Sequence, residues 1–194
     1  MISFNEVNNE NIYYKIIQMS SKYRDGRSFP IDEVVTSDKK INLNATTPNE
    51  MGGFYVSDYE HIFRWLIRGD TLCKVKIPEN SHIYKTESNN GIYIADKIIL
   101  TNPIPVDDKI ATKLYNNSIL PEISYFSALV ACCIKGYNNT ALKVLNEKVN
   151  NNNINEAIHE FESFCMRREE ESNIKIFELD SVKIIHNKLK NLLY

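Results

Sequence analysis

MGGFYVSDYEHIFRWLIRGDTLCKVKIPENSHIYKTESNNGIYIADKIIL (residues 51–100) carries turn, cap, helix and strand signals without a break, and the rest of the chain is placed around it. Gly52 and Gly53 give the backbone freedom to turn, and Phe54, Tyr55 and Val56 then read as a short β-favouring run. Ser57, Asp58, Tyr59 and Glu60 have the spacing of a capping box, with the Ser57 hydroxyl on the Glu60 amide and the Glu60 carboxylate on the Ser57 amide. The pattern predicts a helix over 57–68. Ile62, Phe63, Trp65, Leu66 and Ile67 form its apolar face, Arg64 and Arg68 favour its C-terminal end, and Gly69 supplies the stop. Residues 72–77 follow as a strand in which Cys73, Val75 and Ile77 alternate with Lys74 and Lys76, and Pro78 closes it.

Upstream, residues 1–11 are polar and read as frayed, and 12–17 (IYYKII) is the first core strand, with Lys15 a charged residue inside it. Residues 20–47 contain Asp25, Gly26, Pro30 and many Ser, Thr and Asp, so they read as a long loop with short strands at 31–35 and 41–43. Downstream, 82–85 is a short strand, and Asn89, Asn90 and Gly91 supply a tight hairpin turn to a partner strand at 92–94, resumed at 97–100. Asp96 and Lys97 interrupt that apolar run, as a strand with one wet side or a bulge would. Pro103 and Pro105 mark the domain boundary.

Beyond Val106 the apolar period changes from two to about 3.6. Asp107 and Asp108 can cap a helix to Asn116. Pro121 opens a second, apolar on nearly all sides over 125–134 and ended by Gly136, so it must be central to its bundle. A third follows Asn139 and Thr140, and a fourth covers 154–171. A strand at 174–179 and an amphipathic helix over 180–194, with Val182, Ile185, Leu189, Leu192 and Leu193 on one side, complete the chain. The fold class is α+β: a mixed, mainly antiparallel sheet domain over 1–106 and a helical domain over 107–194.

The chain has 194 residues, 43% of them hydrophobic, enough for a packed core in one large domain or two small ones. Lys+Arg 23 against Asp+Glu 25 leaves one net negative charge on each side of Val106, so neither half has the basic excess that non-specific nucleic-acid binding uses. No run approaches the ~18 apolar residues that span a bilayer, and the first 20 residues lack a leader's basic and apolar regions, which predicts an intracellular protein away from membranes. Cys73, Cys132, Cys133 and Cys165 have no CxxC spacing and read as buried reduced thiols, with no metal site or disulfide. The chain's 24 Asn and 25 Ile, both with AT-rich codons, point to an AT-rich genome as source. No GxSxG, P-loop, HExxH or GxGxxG occurs, and His61, His82, His159 and His186 lack ligand spacing.

The order of Tyr13, Tyr14, Lys15 and Ile16, then Gly52 to Asp58, then Trp65, then Lys74 to Pro78, then Ala95 to Leu100, resembles the N-terminal module of uncharacterised proteins from mimivirus-like giant DNA viruses. Many of these carry ankyrin repeats behind the module. The resemblance covers about residues 12–104, and Leu120, Pro121 and Glu122 with the run Lys135 to Asn139 extend it into the helical region. The 194 residues leave no room for a repeat stack, so a short member is expected.

The segment Gly53 to Asp58 followed by a helix is also similar, more distantly, to the Gly-Ile-Tyr-Phe-Ala/Ser segment of ADP-ribosyltransferases. In that family a first-strand His or Arg anchors NAD, the tyrosine stacks on nicotinamide, and a late-strand Glu orients the attacked ribose. The resemblance carries these roles to Lys15, Tyr55 and Asp96, and only Tyr55 matches in kind. Lysine lacks the neutral imidazole's hydrogen bonds, and aspartate is one methylene shorter than glutamate where positioning supplies much of the rate.

The expectation is therefore a non-enzymatic viral interaction module without cofactor, binding a host or viral protein in the host cytoplasm, virus factory or virion. The alternatives are an NAD-consuming transferase or glycohydrolase using Lys15, Tyr55 and Asp96, and a structural or assembly protein. The partner and the oligomeric state are left open by the sequence.

Overall fold

A computed structural model of the chain describes residues 4–6, 11–19, 28–47, 50–86 and 91–193. The expected turn at Asp25 and Gly26, the hairpin tip at Asn89 and Asn90, and most of the N-terminal polar stretch lie outside them. The chain forms two compact units: residues 1–62 with 68–106, and residues 63–67 with 107–194. The protein is α+β, with a sheet in the first unit and the α-helices in the second.

The first unit holds β1 (Phe4–Glu6), β2 (Tyr13–Ile17), β3 (Val34–Thr36), β4 (Phe54–Ser57), β5 (Thr71–Lys76), β6 (Ile83–Thr86), β7 (Ile92–Ala95) and β8 (Lys97–Pro105). They form one sheet in the order β1-β6-β7-β4-β2-β5-β8-β3, every pair antiparallel; the parallel contact is an isolated bridge between Ile31 and Leu100. The first strand, the strand after the double glycine and the last ribbon before the prolines thus share one sheet.

The strand order has a geometric consequence. β7 and β8 are separated in sequence by Asp96 alone, yet β4, β2 and β5 lie between them in the sheet. In a flat sheet four strand spacings would put them ~19 Å apart, whereas two peptide steps span under ~8 Å. The sheet must curl until β7 and β8 continue one another, closing a ring of β7, β4, β2, β5 and β8. One core cluster takes residues from all five strands: Tyr13 and Ile17, Val56, Cys73 and Val75, Ala95, Ile98 and Leu100. These fill the inside of the ring, and Phe29, Ile31 and Val35 pack against them.

Several local expectations are corrected. The capping box does not form. Ser57 is held in β4, paired to both Tyr14 and Ile92, and its buried hydroxyl donates to the Gly91 carbonyl instead, at 2.8 Å. The helix that follows is a seven-residue 3₁₀ helix, Ile62–Arg68, shorter and tighter than the α-helix expected over 57–68. Residues 31–35 give only β3 and the Ile31 bridge, and 41–43 forms no strand; the Asn42 amide donates instead to the Met51 carbonyl, 2.8 Å away. β8 does not stop at the prolines but runs to Pro105, because a register shift between Leu72 and Lys74, with Asn102 at φ 51°, bulges it where the missing amides would matter. Residues 174–179 form no strand, only a 3₁₀ turn, Ile176–Glu178.

The second unit contains α1 (Asp108–Asn116), α2 (Glu122–Lys135), α3 (Asn138–Lys148), α4 (Ile154–Ser172) and α5 (Asp180–Asn191). α2 buries eight residues and packs on α3, α4 and α5, the position its nearly uniform apolarity requires. Pro121 precedes it, and Gly136, in the left-handed region, ends it. Val182, Ile185 and Leu189 of α5 are buried, but Leu192 and Leu193 lie beyond the helix and are exposed. Phe63 and Arg64 belong to this unit: the Phe63 ring lies 5.4 Å from that of Tyr115, and Arg64 donates to the Ser124 hydroxyl at 2.7 Å.

Candidate functional site

β4 lies between β2 and β7, so the strands that carry or adjoin Lys15, Tyr55 and Asp96 are neighbours. The two glycines before β4 both have positive φ, and a Cβ on Gly52 would sit 2.1 Å from the Lys40 carbonyl oxygen. This close crossing by residues 39–40 fixes where Tyr55 enters the sheet; the Gly53 amide donates to Lys39.

β2 and β4 pair only through Tyr14 and Ser57, the shortest pairing in the ring. Beyond that pair the strands part, and Lys15 stands in the fork. Its ammonium donates to the Tyr55 carbonyl at 2.7 Å and lies 5.8 Å from the centre of the Phe29 ring. A lysine in this half-buried place keeps its charge solvated by a main-chain oxygen and an aromatic face.

The Tyr55 ring is on the other side of the sheet. Alternation along β4 sends Phe54 and Val56 toward the ring's interior with Tyr13 and Ile17, while Tyr55 packs with Ile41, Ala45, Met51 and Ile94. Its hydroxyl donates to the Met51 sulfur at 3.2 Å. Burial pushes the phenol's pKa up, against a smaller opposing effect of the Arg68 charge. Lys15 shares the face of Tyr13 and Ile17, so it reaches Tyr55 through the backbone, not the ring.

Asp96 occupies the bend between β7 and β8. Its carboxylate accepts the His82 amide at 2.9 Å, its own amide donates to the His82 carbonyl, and its carbonyl accepts from Ser37. In the β4–β7 register Tyr55 faces Ile94 and Phe54 faces Ala95, which puts Asp96 beyond Phe54, toward the double glycine. Lys15 and Tyr55 therefore adjoin through one hydrogen bond, and Asp96 serves the corner where β6, β7 and β8 meet.

At the opposite end of β4 a second polar group assembles that the sequence reading passed over. Asp58 and His61 are in contact, and the Asp58 charge acts on the hydroxyl of Tyr93 of β7. Burial, followed by the Asp58 charge, pushes the Tyr93 hydroxyl up to about 12. The Tyr13 ring lies 4.7 Å from that of Tyr93. The i,i+3 spacing of Asp58 and His61 was a readable turn signal, whereas Tyr93 arrives only through the β4–β7 pairing.

Among the described residues no group of three or more His, Cys, Asp or Glu could hold a metal ion, and no helix is long and apolar enough to cross a membrane. All four cysteines are buried and unpaired. No family model matches the chain, and it matches neither a curated protein nor a solved structure.

Proposed function

We propose that the sheet unit is a non-enzymatic interaction module of a viral protein, acting in the infected cell on a host or viral protein partner without a cofactor. One observation supports this reading above the others: each residue in the roles carried over from the transferases is engaged by the protein's own frame. Lys15 holds the Tyr55 carbonyl, the Tyr55 hydroxyl holds Met51, and Asp96 holds the His82 amide. Lys15 and the Tyr55 ring also belong to opposite faces of the sheet, so one small ligand cannot meet both within the ~3 Å of hydrogen-bond reach.

The second reading, an NAD-consuming transferase or glycohydrolase, is supported by the adjacency of β2, β4 and β7. Incubating the pure protein with labelled NAD and infected-cell lysate separates the two. No transfer and no nicotinamide release, together with a specific crosslinked protein partner, is the expected result. Turnover of NAD that disappears in Tyr55→Ala, with that variant still folded, establishes the enzyme instead.

A further inference from the structure

The polar group at the start of the 3₁₀ helix has chemistry that the interaction reading does not use. Asp58 Oδ1 lies 2.5 Å from His61 Nδ1 and also accepts the His61 amide at 3.1 Å, so one carboxylate oxygen fixes both the backbone and the ring of the same residue. The ring is packed against Gly91, where a Cβ would come within 2.1 Å of His61 Cγ; Gly91 also has φ +73°, so no other residue fits there without strain. Ser57 ties down the same turn through the Gly91 carbonyl. The imidazole is thus held on its flank by Gly91 and at Nδ1 by Asp58. Its side chain is only 12% exposed. Among the described residues Nε2 meets no hydrogen-bond partner.

A carboxylate on Nδ1 selects the tautomer with the proton on that nitrogen, which leaves a lone pair on Nε2. We propose that Asp58 and His61 form a proton-accepting site, in which His61 Nε2 receives the O–H of a hydroxyl-bearing ligand while Asp58 orients the ring. His61 is the residue that touches the ligand; Asp58 is a positioning residue. The site is independent of NAD turnover, and loss of the interaction reading leaves it standing.

Two measurements test it on the full chain. Nitrogen-15 NMR of the imidazoles at pH 8 should show His61 protonated on Nδ1 alone, and phenol, used as the O–H probe, should shift its Nε2 resonance more than those of His82, His159 and His186. Diethyl pyrocarbonate should modify His61 faster than the more exposed His82 and His159. In Asp58→Asn the amide can still accept the His61 backbone N–H, so circular dichroism should be unchanged. That same oxygen can also keep the Nδ1–H, but without the carboxylate charge it polarises the ring less, so the modification rate should fall several-fold. A wild-type His61 protonated on Nε2, protected from the reagent, or shifted by phenol no more than the other histidines overturns the proposal. An unchanged rate in a folded Asp58→Asn protein does so too.

Discussion

Asp108 is placed to decide the stability of the helical unit, and Asp108→Ala measures it. Asp107 caps α1 by accepting the Ile110 amide at 2.7 Å. Asp108, in the first turn of α1, reaches across to the start of α3 and accepts from the Asn139 amide (2.9 Å), the Thr140 amide (3.0 Å) and the Thr140 hydroxyl (2.7 Å). Those amides are among the orphan donors of α3, whose own preceding residue, Tyr137, makes no side-chain cap. Truncation removes a helix cap worth ~0.5–2 kcal/mol and leaves half-buried donors that had shared a charged acceptor, hydrogen bonds worth ~1.5–3 kcal/mol each at most. These terms overlap, so the expected loss is about 2–3 kcal/mol in urea titrations followed by circular dichroism at 222 nm, where the helices dominate. Asp108→Asn keeps one good acceptor and should lose about half as much.

The pH dependence supplies the sharper check. Burial raises the Asp108 pKa, but the Thr140 hydroxyl and the Asn139 and Thr140 amides outweigh it, and the net shift is downward. A folded pKa below the unfolded value of ~3.9 means that the contribution is complete above that value and is lost as the pH falls through the folded pKa. The gap between wild type and Asp108→Ala should be flat from pH 7 to about 5 and narrow toward pH 3. A loss below about 0.5 kcal/mol at pH 7, the range of an ordinary surface change, or a gap undiminished at pH 3, refutes this account.

Ser57→Ala should destabilise the sheet unit by about 1 kcal/mol, because it deletes a buried donor to Gly91, whereas Glu60→Ala should stay within about 0.5 kcal/mol; equal effects would restore the capping box. The thiols should resist iodoacetamide at pH 8 in the native protein and react on unfolding, since burial pushes Cys73 up to about 11 and Cys133 to about 12 and leaves little thiolate; rapid native labelling of either would contradict their burial.

The elements legible in the sequence are those whose signal is local. The alternation of Cys73 and Val75 with Lys74 and Lys76 specified β5, and Pro121, the apolar run and Gly136 specified α2 and its central place, because periodic burial, proline and left-handed glycine act within a turn or two. The capping box failed for a non-local reason: Ser57 is held by Tyr14 and Ile92, neither of them close in sequence, and strand pairing outcompetes a local cap for the same hydroxyl. Which face each strand residue took was also decided in three dimensions. Lys15 and the Tyr55 ring were separated by the alternation of two strands in a shared register, and Asp96 was drawn to His82 by the bend that closes the ring. The hydrogen bonds of Asp108 to the start of α3 span about 30 residues, and no spacing rule reaches that far. The sequence by itself determined the longer elements and the α+β division, since helix and strand periodicity are properties of neighbouring residues. The tertiary structure alone decided which side chains meet, because strand order and helix packing bring distant residues within hydrogen-bond reach and turn near neighbours to opposite faces.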